Sequence, residues 1–250
     1  MTERAERLPE VIYLRESEST NLYLEQLAGA GRQADETLVV ADFQTAGRGQ
    51  TGNSWESEPG KNLTFSLLIY PQHLRAGRSF LIAELASVSL VRLLGGYTQE
   101  ITIKWPNDIY WKDKKICGIL IENVLSGNMI ARSVIGIGLN INQETFLSAA
   151  PSPVSLRQIT GHTYDRMRML DDFRRIFHHL RQQFETETLA DEIHREYLSS
   201  LYRREGYFAY RDSHGRFEAH IHHIEPSGHL ILVRKDGARA RYAFKEVAYL

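Results

Sequence analysis

Apolar residues recur along the chain in two rhythms, one of period two and one near 3.6, and their order predicts the architecture. Glu10 to Leu14 reads as a short strand; after it, Ser17, Ser19 and Thr20 offer capping hydroxyls for a helix to about Ala28, closed by Gly29 and Gly31. Thr37 to Phe43 is β-branched and apolar, a second strand. From Asn62 to Tyr70, Leu63, Phe65, Leu67 and Ile69 alternate with Thr64 and Ser66, predicting a strand with one buried face. Ser79 to Leu94 is apolar nearly all round and stops at Gly95-Gly96, hence a buried helix.

Further strands are expected at Ile101 to Trp105, Ile109 to Trp111, Ile116 to Val124 and Met129 to Asn142. The short turn signals Lys112-Asp113-Lys114 and Ser126-Gly127-Asn128 separate the last three, so these should be antiparallel hairpins, because parallel strands need a crossover. Beyond Pro151 and Pro153 the rhythm turns helical, with Leu170, Phe173, Phe177, Leu180 and Phe184 on one face and a second helix from Leu189 to Arg203. From Gly206 short strands return, broken at Ser213-His214-Gly215, Pro226-Ser227-Gly228 and Asp236-Gly237. The reading is an α+β protein, a mixed or antiparallel sheet flanked by helices over residues 1–203, with a small β-barrel over 204–250.

One loop complicates this picture. Ala46 to Trp55 contains Gly47, Gly49 and Gly52 at the G-x-G-x-x-G spacing of a dinucleotide-binding turn. That fingerprint works only when a helix opens from it and an acidic residue follows about 20 positions on. Here Pro59 and Gly60 follow in a stretch with no apolar stripe, and the later positions read LLIYPQ. The segment is therefore a glycine-rich loop between strands.

Composition narrows the function classes. The 30 basic residues nearly cancel the 31 acidic ones, so no global field draws the chain to nucleic acid or to an anionic membrane. Cys117 is the single cysteine and sits in an apolar run, which excludes an intrachain disulfide and a multi-cysteine zinc site and makes it a buried inert thiol. With neither a signal-like N-terminus nor a membrane-length apolar run, the expected compartment is the cytoplasm. His220 and His222 share a strand face without a third ligand nearby, and Arg203, Arg204, Arg234, Lys235, Arg239 and Arg241 are expected on the solvated face of the barrel.

Four stretches set polar or glycine residues at strand ends: Ser19-Thr20-Asn21, Gln44 to Trp55, Lys104-Trp105-Pro106-Asn107-Asp108 with Lys115 behind it, and Gly136-Ile137-Gly138-Leu139-Asn140. Singly each has an ordinary structural explanation as a cap, a turn or close strand packing. Jointly they resemble the catalytic domain of biotin protein ligases, whose glycine loop reads GRGR-x-G-x-x-W and whose KWPND motif is followed seven residues after the aspartate by a lysine within K-x-x-G-I-L. This chain has GRGQTGNSW, KWPND and Lys115 opening K-I-C-G-I-L. The resemblance runs over about residues 10–250 and implies a class II aminoacyl-tRNA synthetase-like catalytic fold with an SH3-like C-terminal barrel.

The implied reaction uses ATP and Mg²⁺ to convert biotin to biotinyl-5'-AMP, then passes biotin to a lysine of a biotin carboxyl carrier protein. Such a site must place positive charge where two anions meet, and Arg48 and Lys115 are the cations the motifs supply. By resemblance, Arg48 binds the carboxylate and phosphate region and Lys115 bridges the biotin carboxylate and α-phosphate. Ser19, Thr20, Asn21 and Gln44 would meet the ureido head, with Gly47, Gly49, Gly118, Gly136 and Gly138 admitting backbone close to the ligand and Trp105 forming a wall. Trp55 would stack on adenine, with Asn107 and Asn140 lining the nucleotide pocket. Asp108 either orients the attacking amine or helps hold the metal.

Gln50 departs from the family pattern, standing where a second arginine is usual. Its amide is expected to contact the intermediate. Two alternatives remain: a lipoate ligase or octanoyltransferase, whose relatives typically lack both motifs, and a biotin-responsive repressor, for which the sequence before Glu10 leaves no room for a DNA-binding domain. A monofunctional enzyme that binds neither DNA nor membrane is expected, with a homodimer left open.

Overall fold

A computed structural model describes residues 8–31, 33–50, 52–147, 152–183 and 187–250, so the expectations for Pro151 and for the side chains of Phe184 and Leu189 lie outside the described residues. Strand β1 (Val11–Ser17) leads through helix α1 (Thr20–Gly29) into β2 (Leu38–Gln44) and β3 (Leu63–Ile69). Helix α2 (Phe80–Gly95) precedes β4 (Ile101–Lys104), β5 (Asp108–Trp111), β6 (Lys114–Ser126) and β7 (Met129–Leu139). These strands form one sheet in the order β1-β2-β3-β7-β6-β5-β4. Only β1 and β2 run parallel, and α1 is the crossover their pairing requires.

The alternation in β3 assigns its faces correctly, yet the strand is buried on both. Leu63, Phe65, Leu67 and Ile69 enter the main core beneath α2 and α4 (Arg166–Gln183), where Phe65 meets Phe173 edge to face with centroids 5.2 Å apart. On the opposite face α1 lays Leu24 and Ala28 on Val39, Leu68 and Val134. A half-exposed strand was expected because Thr64 and Ser66 are polar; they are covered because their hydroxyls find partners, Thr64 donating to the Ala41 carbonyl at 2.9 Å.

Helix α3 (Leu156–Thr160) is opened by a capping box between Ser155 and Gln158, and α5 (Glu187–Ser199) follows α4. The chain then forms a second, antiparallel sheet from β8 (Phe208–Asp212), β9 (Gly215–Ile224), β10 (Leu230–Arg234), β11 (Arg239–Tyr242) and β12 (Ala248–Tyr249), in the order β11-β10-β9-β8-β12, consistent with an SH3-like unit. Stacked Tyr210, Phe217 and Tyr242 fill it. Not all of its basic residues face solvent as expected: Arg234 lies 4.1 Å over the Phe217 ring and pairs with Asp212 at 2.8 Å. Among the described residues no helix is long and apolar enough to cross a membrane.

Candidate active site

The sheet opens a cavity of about 420 Å³ on the α1 side, and three adjacent strands build its floor. Register places Thr64, Gly138 and Gly118 in one row across β3, β7 and β6, and Ser66, Gly136 and Leu120 in the next. Glycine is needed here because other groups already occupy the space of a side chain. A Cβ at position 136 would stand 2.2 Å from Asn21 Oδ1, and one at 118 would stand 3.0 Å from the Trp55 ring.

The polar end is built from α1 and β2. Ser19 takes the N-cap position of α1 but its hydroxyl makes no capping bond, contrary to expectation. The Gln44 amide replaces it: parallel pairing sets Gln44 beside Ser17, so its Oε1 accepts from the Thr20 backbone N–H at 2.8 Å and from the Thr20 hydroxyl at 3.1 Å. Ser66 Oγ lies 2.7 Å from Thr20 Oγ1 and 2.5 Å from Asn21 Oδ1, and its single proton serves one of them at a time. A buried row of neutral donors and acceptors results, suited to a ligand head that carries both.

Lys115 reaches the cavity because of a bulge. It stands three positions before Gly118, so a regular strand would send the two to opposite faces. The β5–β6 register slips between Ile109 and Tyr110, resetting the alternation, and both residues line the cavity. Lys115 Nζ pairs with Asp108 Oδ1 at 2.7 Å and lies 5.7 Å from the Trp55 ring centre. Asn107 donates its side-chain amide to the Ile119 carbonyl, tying the Lys104–Asp108 turn to β6.

Among its described residues the glycine loop forms no helix, and it closes on itself. Trp55 N–H donates to the Gly47 carbonyl and Gly49 N–H to the Asn53 carbonyl, both at 2.9 Å, and Arg48 pairs with Glu122 at 3.1 Å. Arg48, Gly49, Gln50 and Trp55 line the cavity with Ser19, Thr20, Asn21, Gln44, Trp105, Asn107, Asp108, Lys115, Gly118, Gly136 and Gly138. Two expected residues do not: Gly47 forms the base of the loop, and Asn140 is buried beside it with its amide donated to the Val154 carbonyl at 3.2 Å. Asn140 follows β7, and its Nδ2 is tied to the segment before α3.

Sequence reasoning missed Ser66, Glu122, Lys104 as a wall, and the far end of the chain. Phe244, Val247, Ala248 and Tyr249 close one side of the cavity, and Lys104 Nζ lies 4.9 and 5.2 Å from the Tyr110 and Tyr249 rings. Burial among them pulls the Lys104 ammonium below the usual lysine value. Burial likewise pushes the Cys117 thiol up, in keeping with an inert thiol. Among the described residues no group of three or more His, Cys, Asp or Glu could hold a metal, His220 and His222 included.

The model of the biotin/lipoate A/B protein ligase family matches residues 13–140. A biotin–[acetyl-CoA-carboxylase] ligase of Paracoccus denitrificans is 33% identical over 229 residues, spanning 88% of this chain and 92% of that protein. The chain belongs to the biotin protein ligase family. Within that family it also matches the bifunctional ligase/repressor BirA of Escherichia coli K12, at 35% identity over 127 residues that make up only 38% of the BirA chain. The fold is that of the biotin protein ligase from Aquifex aeolicus in complex with biotin and ATP, at a TM-score of 0.75 and 24% identity, covering 96% of this chain and 97% of that one. The Leishmania major biotin protein ligase solved with biotinyl-5-AMP aligns at a TM-score of 0.61 and 23% identity, covering 94% of this chain and 99% of that one.

Proposed function

We propose that this chain activates biotin with ATP, forming biotinyl-5'-AMP and releasing pyrophosphate, and then transfers biotin to a lysine amine of a biotin carboxyl carrier protein, releasing AMP. The observation that carries this reading is one cavity whose neutral hydrogen-bonding end, at Thr20, Asn21 and Gln44, lies beside the cations Arg48 and Lys115. The neutral end suits the ureido head. Arg48 and Lys115 offset repulsion between carboxylate and α-phosphate, each worth about 4 kcal/mol at 4 Å in a medium of effective dielectric ~20, before desolvation.

Lys115 is the residue we assign to the reacting oxygens, with Asp108 holding its ammonium in place before ATP arrives and accepting a hydrogen bond from the incoming lysine amine afterwards. Asp108 is the one carboxylate lining the cavity among the described residues. That donor set fits a Mg²⁺ ion carried on the triphosphate, which would supply charge neutralisation there, with Asp108 as at most a single protein ligand. Trp55, on the loop, is the residue we assign to adenine; its place among the cavity-lining residues supports this.

Near-balanced charge supports an enzyme that does not bind operator DNA, and a single buried cysteine supports the reducing cytoplasm. The deciding experiment incubates the chain with ATP, Mg²⁺, biotin and a biotin carrier domain, with Lys115→Ala in parallel. Wild type should release pyrophosphate and label the carrier, and the variant should lose both by at least about a hundredfold. Equal yields from the two proteins would sink the assignment of Lys115; no adenylate from wild type would sink the reaction itself.

A further inference from the structure

Glu122 faces the same side of β6 as Leu120 and Gly118, two and four residues before it, yet it is acidic beside a cavity meant for anions. Its Oε2 accepts from Asn21 Nδ2 at 2.7 Å and from Arg48 Nη2 at 3.1 Å. Asn21 stands in the first turn of α1 over Gly136, while Arg48 belongs to the glycine loop. One carboxylate thus joins α1, at the head-binding end, to the glycine loop.

We propose that Glu122 is a positioning residue for substrate capture, holding the Asn21 amide and the Arg48 guanidinium over the same end of the cavity. The inference rests on the biotin-activating reading above. An asparagine amide can flip its donor and acceptor ends, and Glu122, the nearer of two acceptors for Nδ2 beside the Leu120 carbonyl at 3.4 Å, disfavours the flip. With Nδ2 committed to the carboxylate, Oδ1 is turned toward Ser66 and over Gly136. Arg48 has five N–H donors in a rigid fork, and binding Glu122 through one arm leaves the others for a ligand carboxylate or phosphate. Fixing both groups beforehand lowers the ordering cost that substrate would otherwise meet.

Glu122→Gln keeps an acceptor for Asn21 and removes the charge that holds Arg48; Glu122→Ala removes both. Without any ligand, trypsin should cut after Arg48 several-fold faster in Glu122→Gln than in wild type. Calorimetry should give about threefold weaker biotin binding for Glu122→Gln and about tenfold weaker for Glu122→Ala, while kcat for adenylation at saturating biotin stays within about twofold. In an Arg48→Ala background Glu122→Gln should add no further loss, since the two act through one contact. Wild-type biotin affinity in Glu122→Ala, or an undiminished Glu122→Gln penalty without Arg48, would overturn the proposal. A wild-type chain that fails to bind biotin would instead count against the reaction, and the digestion would still judge the Glu122 contact.

Discussion

The Trp55 indole occupies the space a side chain at Gly138 would need: a Cβ there would lie 2.2 Å from Trp55 Cε2 and 2.5 Å from Nε1. The loop tryptophan and the β7 glycine are therefore one fitted pair, and the aromatic seat exists only while position 138 has no side chain.

Gly138→Ala should lift the indole from the sheet at a cost of about 1–3 kcal/mol in the loop conformation, the usual penalty of overpacking. The expected outcome is at least about a tenfold loss in apparent ATP affinity and a shift in tryptophan emission, with a melting temperature close to wild type because the loop lies outside the core. Fluorescence and ATP titration check it.

Asp108→Asn should divide the two half-reactions. It reduces the 2.7 Å ion pair with Lys115 to a hydrogen bond with a neutral amide and removes the carboxylate that could take a proton from an incoming amine. Adenylate formation should fall less than about tenfold while transfer to the carrier falls about a hundredfold, the range for a lost acid–base group. Single-turnover assays with and without carrier separate the steps; equal losses in both would contradict the division.

Gln50→Arg should slow escape of the adenylate. Gln50 lines the cavity from the glycine loop and offers only a neutral amide. A cation there should lower the release rate about tenfold, equivalent to 1.4 kcal/mol. An unchanged release rate in a filter-binding chase would remove the position from the mechanism.

The pair Glu84–His194 should make stability pH-dependent. Burial raises the Glu84 carboxyl above its ordinary range, and the 2.8 Å hydrogen bond to Glu84 raises His194 above its own. The folded chain therefore holds protons at both groups more tightly than the unfolded chain. The His194 contribution is fully present below about pH 6.5 and is lost as pH rises through the higher folded value. The Glu84 contribution fades in the same direction from a lower starting pH. Melting temperature should fall between pH 6 and pH 9 more steeply in wild type than in His194→Gln.

Gly228→Ala should reach the cavity from the second sheet. Gly228 has φ +87, its Cβ would stand 2.6 Å from Phe80 Cδ2, and its carbonyl accepts from Trp105 Nε1 at 2.9 Å. The left-handed backbone alone costs about 1–2 kcal/mol with alanine. Calorimetric unfolding should register that loss, and biotin affinity should weaken as the Trp105 wall loses its anchor.

Much of this was legible in the residues because local chemistry determined it. The alternation in β3, the apolar run of α2 and the turn pairs around β6 each fix an element, and glycines at 118, 136 and 138 stand where neighbours leave no space. What escaped depends on distant pairing. Nothing local to Glu122 points to Asn21 or Arg48, since the contacts span 101 and 74 positions. Asn140 stands apart from the cavity lining for the converse reason: sequence proximity to Gly138 suggests the cavity, whereas β7 ends one residue earlier and the Asn140 amide is donated to the Val154 carbonyl. Ser19 was expected to cap α1, yet Gln44, set beside β1 by parallel pairing, performs the task.

The position of β12 has a practical consequence for protein engineering. Because Ala248 and Tyr249 pair with β8 and face the ligand space alongside Phe244 and Val247, residues 8–203 alone cannot enclose a small molecule. Cutting the gene between the two sheets would yield an open trough rather than a minimal enzyme, and a bulky fusion placed after Leu250 would crowd the side of the cavity that Tyr249 lines.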